Sequence, residues 1–259
     1  MKLKEKLLYL IQDTLTMSKR RIIMSTRNPD IILTSLVTPI LVMVLFVYVM
    51  GGAMNVGEGV SYINYLVPGI ILMCLGQCSA ATAVSVSTDI SKGIISRFRT
   101  MPITKLSVVA GYIMEDTLRK IFTVILVFLS AFIFGFRPEA ALNNWLNIAG
   151  ILFLCCLMLA CISVLFGLMS KSPEGATIFA VFANIFPYFS SGFAPTESMP
   201  NILRIIAENQ PMTPIIESIR ALLMGTEVGN NMILAVLWCT ILLVISFIAT
   251  IRVYENKIA

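Results

Sequence analysis

Apolar positions along this chain fall into long blocks separated by short polar or basic stretches. The blocks cover residues 31–50, 66 to about 88, 121–136 (the most apolar part of a longer stretch), 145–169, 176 to about 190, and 232–251. About 20 apolar residues of helix cross the hydrocarbon core of a bilayer. Lipid cannot satisfy exposed backbone groups, so a spanning segment is a helix or a closed barrel, and barrel strands alternate with a period of two. These blocks do not alternate. The pattern predicts an all-α integral membrane protein with six transmembrane helices.

The stretches between the blocks carry patterns of their own. At the N-terminus, Leu3, Leu7, Leu10 and Ile11, then Thr14 and Leu15, share roughly one helical face, with lysines, Gln12 and Asp13 mostly elsewhere. That arrangement predicts an amphipathic helix in the membrane interface within residues 1–30. Between the second and third blocks, residues 89–102 read DISKGIISRFRTMP. Ile90, Ile94, Phe98 and Met101 fall on one face, with Ser91, Lys92, Ser96 and Arg99 largely opposite. Asp89 is placed to cap a short helix there and Pro102 to end it. Gly93 stands in the middle, where it costs up to about 1 kcal/mol relative to alanine.

The third block has a long run-up. From Thr104 to Phe136 a continuous helix would measure about 50 Å, longer than the hydrocarbon core. Its first part carries Glu115, Asp116, Arg119 and Lys120. Two i,i+4 acid–base pairs follow, Glu115 with Arg119 and Asp116 with Lys120. These are expected to protrude among the headgroups as self-paired charges, or else to line the mouth of a pathway. On the second block, Gly76, Ser79, Ala80, Ala83 and Ser87 recur at helical spacing and favour close helix packing. Residues 193–225 are too polar to span and too apolar for a free loop. They predict two short re-entrant helices. Pro200 opens the first. In the second, Thr213 is the cap, Pro214 the first residue and Gly225 the stop.

Composition agrees with a membrane protein: of 259 residues, 58% are hydrophobic and only 13% charged. Soluble domains carry about twice that charge. Sixteen of the nineteen Lys and Arg residues lie on one side of the predicted spans, leaving Arg137, Arg204 and Arg220 on the other. The positive-inside rule then puts both termini in the cytoplasm. Residues 252–259 form a cytoplasmic tail. The six cysteines all fall inside apolar blocks, form no CxxC pair and meet no histidine, so they are expected to be packing residues rather than metal ligands. No histidine exists for acid–base or triad chemistry, and no Walker-type phosphate loop occurs. An enzyme is not expected, and neither catalytic nor metal-binding residues are assigned.

Taken together, the charged N-terminal helix, the six spans, YLVPGI at 65–70 and the pattern D-x-x-x-G-x-x-x-R-x-R-x-x-P from Asp89 resemble permease subunits of type-2 ABC exporters. SSGFAPTESMP and NQPMTPIIESIRAL are similar to the daunorubicin-resistance-like multidrug branch. The resemblance covers essentially the whole chain. It implies an exporter of amphipathic drugs or antibiotics in the plasma membrane of a bacterium. Such a permease pairs with a second copy or a paralogue. It is powered by separate ATPase subunits, which hold ATP and magnesium, so no cofactor sits on this chain. Nucleic acid is not among the expected partners.

Carried over, 89–102 becomes the coupling helix that docks the ATPase, through Asp89, Ile90, Gly93, Ile94, Arg97, Phe98, Arg99, Met101 and Pro102. The substrate path is expected near spans one, two and five, with Gln77, Asn184 and Tyr188 as candidates. Export of a lipid-linked glycan or peptide is the alternative within the family. An ion-coupled transporter is the alternative outside it, and it would need a carboxylate near the midplane. None lies in the central part of a span as read from the sequence. A membrane scaffold that transports nothing is a third class.

Overall fold

The computed structural model describes residues 3–27, 29–50, 62–95 and 104–258. Among these residues the regular structure is entirely helical. Helix α1 is Leu3–Thr26, α2 Pro29–Val44, α3 Tyr62–Ser91, α4 Lys105–Ile133 and α5 Leu142–Met169. Then come α6 Pro173–Ile185, α7 Asn201–Asn209, α8 Met212–Met224 and α9 Asn231–Ile258. By length and apolarity, α3, α5 and α9 can cross a membrane. α4 is as long at 29 residues but carries five charged residues, Lys105, Glu115, Asp116, Arg119 and Lys120, while α2 and α6 are shorter, with 16 and 13 residues.

α3 is the central post, packed against α2, α4, α5, α6 and α8. Small residues make this possible. A Cβ on Gly76 would lie 2.4 Å from the carbonyl oxygen of Ala183 on α6, so only glycine permits that approach. On the side toward α5, Ala83 is fully buried and its carbonyl meets Gly167. Of the stripe Gly76, Ser79, Ala80, Ala83 and Ser87, Gly76 and Ala83 stand at close helix contacts, Ser79 and Ser87 are buried, and Ala80 lines a cavity. All six cysteines are buried and free.

The bundle has two distinct ends. At one, α1 lies across the start of α4. Met17 abuts Gly111, and the Asp13 carboxylate accepts from the Thr104 N–H at 3.0 Å. The contact face of α1 runs through Asp13, Met17, Ser18 and Arg21, whereas Ile11 and Leu15 are half exposed. Tyr254 of α9 joins Val86, Val108, Tyr112 and Val164 in a small core at this same end. At the other end α8 is sunk into the main core, with Ile215, Ile216, Ile219 and Leu223 fully buried. Arg220 clamps it there: the guanidinium stacks 3.6 Å from the Tyr65 ring centroid and donates to the Ser191 carbonyl at 2.7 Å. α7 buries only Ala207 and exposes Ile202 and Ile205.

Three local expectations are corrected. Asp89 does not cap a new helix, because α3 runs through it to Ser91. Gly93 is not a mid-helix residue. With φ at 67° it takes the left-handed conformation that stops α3, its N–H donating to the Ile90 carbonyl at 2.9 Å. Thr213 does not cap α8. It lies inside the helix and its hydroxyl donates to the Ala207 carbonyl, tying α8 to α7. Gly225 does end α8, with φ at 67°.

The Gly76 contact generates a stability test. Gly76→Val should lower stability in detergent by about 1–3 kcal/mol. Gly150→Ala, on α5 with open space around it, should be neutral or slightly stabilising. Thermal melts monitored by size-exclusion fluorescence compare the two. Equal melts would mean that the α3–α6 approach matters little.

Candidate functional site

The charges on α4 turn inward. Asp116 and Lys120 are fully buried, Glu115 is 3% exposed, and Arg119 is mostly buried. This corrects the expectation of a helix protruding among headgroups. α4 is one continuous helix from Lys105, so its acidic residues are held against α3 and α5. The self-pairing within α4 is nonetheless present: Lys120 donates to Asp116, and Arg119 Nε stands 3.8 Å from Glu115.

Asp116 is the hub. Its carboxylate accepts from Thr82 of α3 at 2.7 Å, Ser163 of α5 at 3.0 Å and Arg119 at 3.0 Å, besides Lys120. Four donors on one carboxylate satisfy its hydrogen-bonding capacity within a buried site. Ser163 lies six residues before the end of α5 at Met169, about 9 Å at the standard helical rise. The hub therefore sits inside the bundle rather than at its rim.

A second node joins α1 to the end of α3. Arg21 donates to Asp89 at 2.8 Å and to Ser85 at 2.9 Å, and its guanidinium lies over the Tyr112 ring. Tyr112 donates to the same Asp89 oxygen at 2.6 Å. Asp89 occupies the last turn of a helix, the end where the dipole disfavours negative charge. The Arg21 cation compensates it. Glu115 links the nodes, 3.9 Å from Arg21 and 3.8 Å from Arg119.

Beside this network a cavity of about 550 Å³ opens between α1, α3, α4 and α6. Arg21, Ser85, Asp89, Glu115 and Arg119 form its polar wall, with Lys92 at its rim. Met24, Ala80, Ala81, Val84 and Ala180 form the apolar wall. None of the path candidates lines it. Gln77 lies one turn beyond Ala81 on α3, and Asn184 one turn beyond Ala180 on α6. The buried Asn184 Oδ1 has no hydrogen-bond partner, while Tyr188 hydrogen-bonds Met73 and stacks on Phe193.

The expected docking residues divide. Ile90 and Ile94 are partly buried against the core at this end, and Ile95 is buried in it. The start of the apolar face is therefore already taken by the protein itself. Lys92 is exposed. Arg97, Phe98, Arg99, Met101 and Pro102 lie outside the described residues. Sequence reasoning passed over Arg21, Thr82, Tyr112 and Ser163. Arg21 was one basic residue among several, and isolated hydroxyls in apolar helices give no signal until their neighbours are known.

Losing one partner of the Asp116–Lys120 pair should be costly, about 3–5 kcal/mol, because the other charge is left buried. Lys120→Met should therefore destabilise strongly. Adding Asp116→Asn, whose side-chain carbonyl can accept from Thr82 while its amide donates to the Ser163 hydroxyl, should recover at least half of the loss. Detergent melts of the two variants check this, and a double variant as unstable as the single one would contradict it.

Comparison with known proteins agrees with this architecture. The chain is 25% identical over 253 residues to the daunorubicin resistance ABC transporter permease protein of Streptomyces coeruleorubidus, covering 95% of this chain and 87% of that one. It is 24% identical over 231 residues to the probable doxorubicin resistance ABC transporter permease protein of Mycobacterium tuberculosis, covering 88% and 83%. Residues 12–224, a range that contains this chain's ion network and cavity residues, match the ABC-2 type transporter family. The chain belongs to the ABC-2 type transporter family.

Proposed function

We propose that this chain is the membrane subunit of an ATP-driven exporter that moves amphipathic drug- or antibiotic-like compounds out of a bacterial cell. The observation that carries this reading is the cavity of about 550 Å³ beside the buried ion network, within the size range of small-molecule pockets. The relatives' names, which specify daunorubicin and doxorubicin resistance, supply the substrate class.

In this reading α2, α3, α4, α5, α6 and α9 are the six spans. The end bearing α1 and Lys92 faces the cytoplasm, by the distribution of Lys and Arg. α1 lies in the interface, with Ile11 and Leu15 toward lipid and Arg21 toward the bundle. α7 and α8 are the outer re-entrant pair. The segment after Gly93 docks a separate ATPase that holds ATP and magnesium, and two permeases enclose the path from the cavity past Gln77 and Asn184.

Force applied at that segment has a short route inward. It reaches Asp89, then Arg21 and Tyr112, then Glu115, Arg119 and Asp116, all within ion-pair or hydrogen-bond distance. An ion-coupled mechanism has less support. Asp116 is a buried carboxylate inside a span-length helix, contrary to the sequence expectation, but two cations and two hydroxyls occupy it.

Docking predicts that Arg97→Glu or Arg99→Glu leaves the permease monodisperse in detergent while reducing co-purification of the ATPase at least about tenfold. Unchanged co-purification with both variants would remove the docking assignment.

A further inference from the structure

α5 and α6 are joined only by Ser170, Lys171 and Ser172, yet α6 packs chiefly on α3 rather than on its neighbour in the chain. The two helices meet through Phe166 and Phe179, which stack at 4.4 Å. A second cavity, of about 530 Å³, stands between them and opens as a groove. One wall is drawn from residues 158–170 of α5 and the other from residues 175–186 along α6. Gly76 of α3 leaves room at the floor, and Met212 of α8 stands at the far end.

The groove differs in kind from the cavity beside the ion network. Among the described residues, every side chain that lines it is apolar except that of Ser170. The Ser170 hydroxyl is already spent on the Phe166 carbonyl at 2.8 Å. A ligand with polar groups along its body would leave them unpaired here. From Gly175 to Phe186 the α6 wall measures about 16 Å at the standard helical rise. That is close to one leaflet of a hydrocarbon core about 30 Å thick. The shape and chemistry suit a hydrocarbon chain lying along the helices.

Charge at one end identifies what the chain belongs to. Lys171 is exposed beside Ser170, and exposed Lys257 of α9 places its Nζ 3.4 Å from the Ser170 carbonyl oxygen. Of the acids on α6 and α9 at this end, Glu174 is engaged by Ser172 in the first turn of α6, and Glu255 lies about 200° around α9 from Lys257. Two ammonium groups at the end of an apolar groove favour an anionic lipid head.

We propose that the groove holds one acyl chain of a phospholipid whose anionic head is bound by Lys171 and Lys257. The lipid fills the gap between α5 and α6 and gives α6 the packing that it lacks on that side. The inference takes α5, α6 and α9 as spans and does not depend on what the protein exports.

The test is native mass spectrometry of the full chain released from detergent, titrated with phosphatidylglycerol or with phosphatidylcholine of the same acyl chains. One phosphatidylglycerol should be retained at least about tenfold more tightly than phosphatidylcholine. Ala183→Leu narrows the groove without touching either lysine, and it should weaken that retention at least about tenfold. Lys171→Gln combined with Lys257→Gln leaves the groove intact, and it should bring phosphatidylglycerol down to the level of phosphatidylcholine.

Equal retention of the two lipids by the unaltered chain overturns the proposal. So does tight retention of phosphatidylglycerol that Ala183→Leu leaves unchanged, since the lysines then gather lipid at the surface alone. A chain that retains neither lipid overturns it as well. Binding of daunorubicin abolished by Ala183→Leu would then make the groove a drug site, and a dimer broken by the same substitution would make it a contact between copies.

Discussion

A carboxylate buried among helices must find donors, and Asp116 draws them from three elements. Thr82 comes from α3, Ser163 from α5, and Arg119 and Lys120 from α4 itself. The contacts to Thr82 and Ser163 do not tolerate much rotation of α4, because a turned helix would take the carboxylate away from both hydroxyls. The registers of α3, α4 and α5 are thereby fixed relative to one another. Glu115 and Arg21 extend the same constraint to α1, which has no apolar anchor of comparable depth among its described side chains.

Packing acts differently along the rest of α3. The Gly76–Ala183 and Ala83–Gly167 approaches are backbone against backbone or nearly so. Such surfaces fix the distance between helices tightly, as where the Val86 side chain sets against Gly167. The ionic end is directional and the small-residue seam is smooth. The cavity lies between these two kinds of contact.

The helical class, the positions of the main helices and the small-residue packing stripe were legible in the sequence because hydropathy and residue size act locally. Helix ends were less so. Asp89 looks like a cap when read forward from a loop, yet α3 simply continues until Gly93 offers a left-handed stop. Thr213 looks like a cap by spacing from Pro214, but its hydroxyl serves a contact between helices. The depth of Glu115 and Asp116 was not legible at all. It depends on α4 remaining unbroken across the expected membrane boundary, and on Ser163, 47 positions further along the chain, facing the hub. The cavity is hidden for the same reason: its walls come from four separate helices.

The pairing inside α4 has a consequence for how the protein is assembled. Each of its two acids has a base one turn later, so α4 carries its own neutralising partners before any other helix packs against it. Asp89 has no such companion on α3 and depends on Arg21 and Tyr112 from elsewhere in the chain. Biogenesis thus has a built-in order of tolerance. α4 can wait for its neighbours, whereas the end of α3 stays costly to bury until α1 and α4 have closed over it.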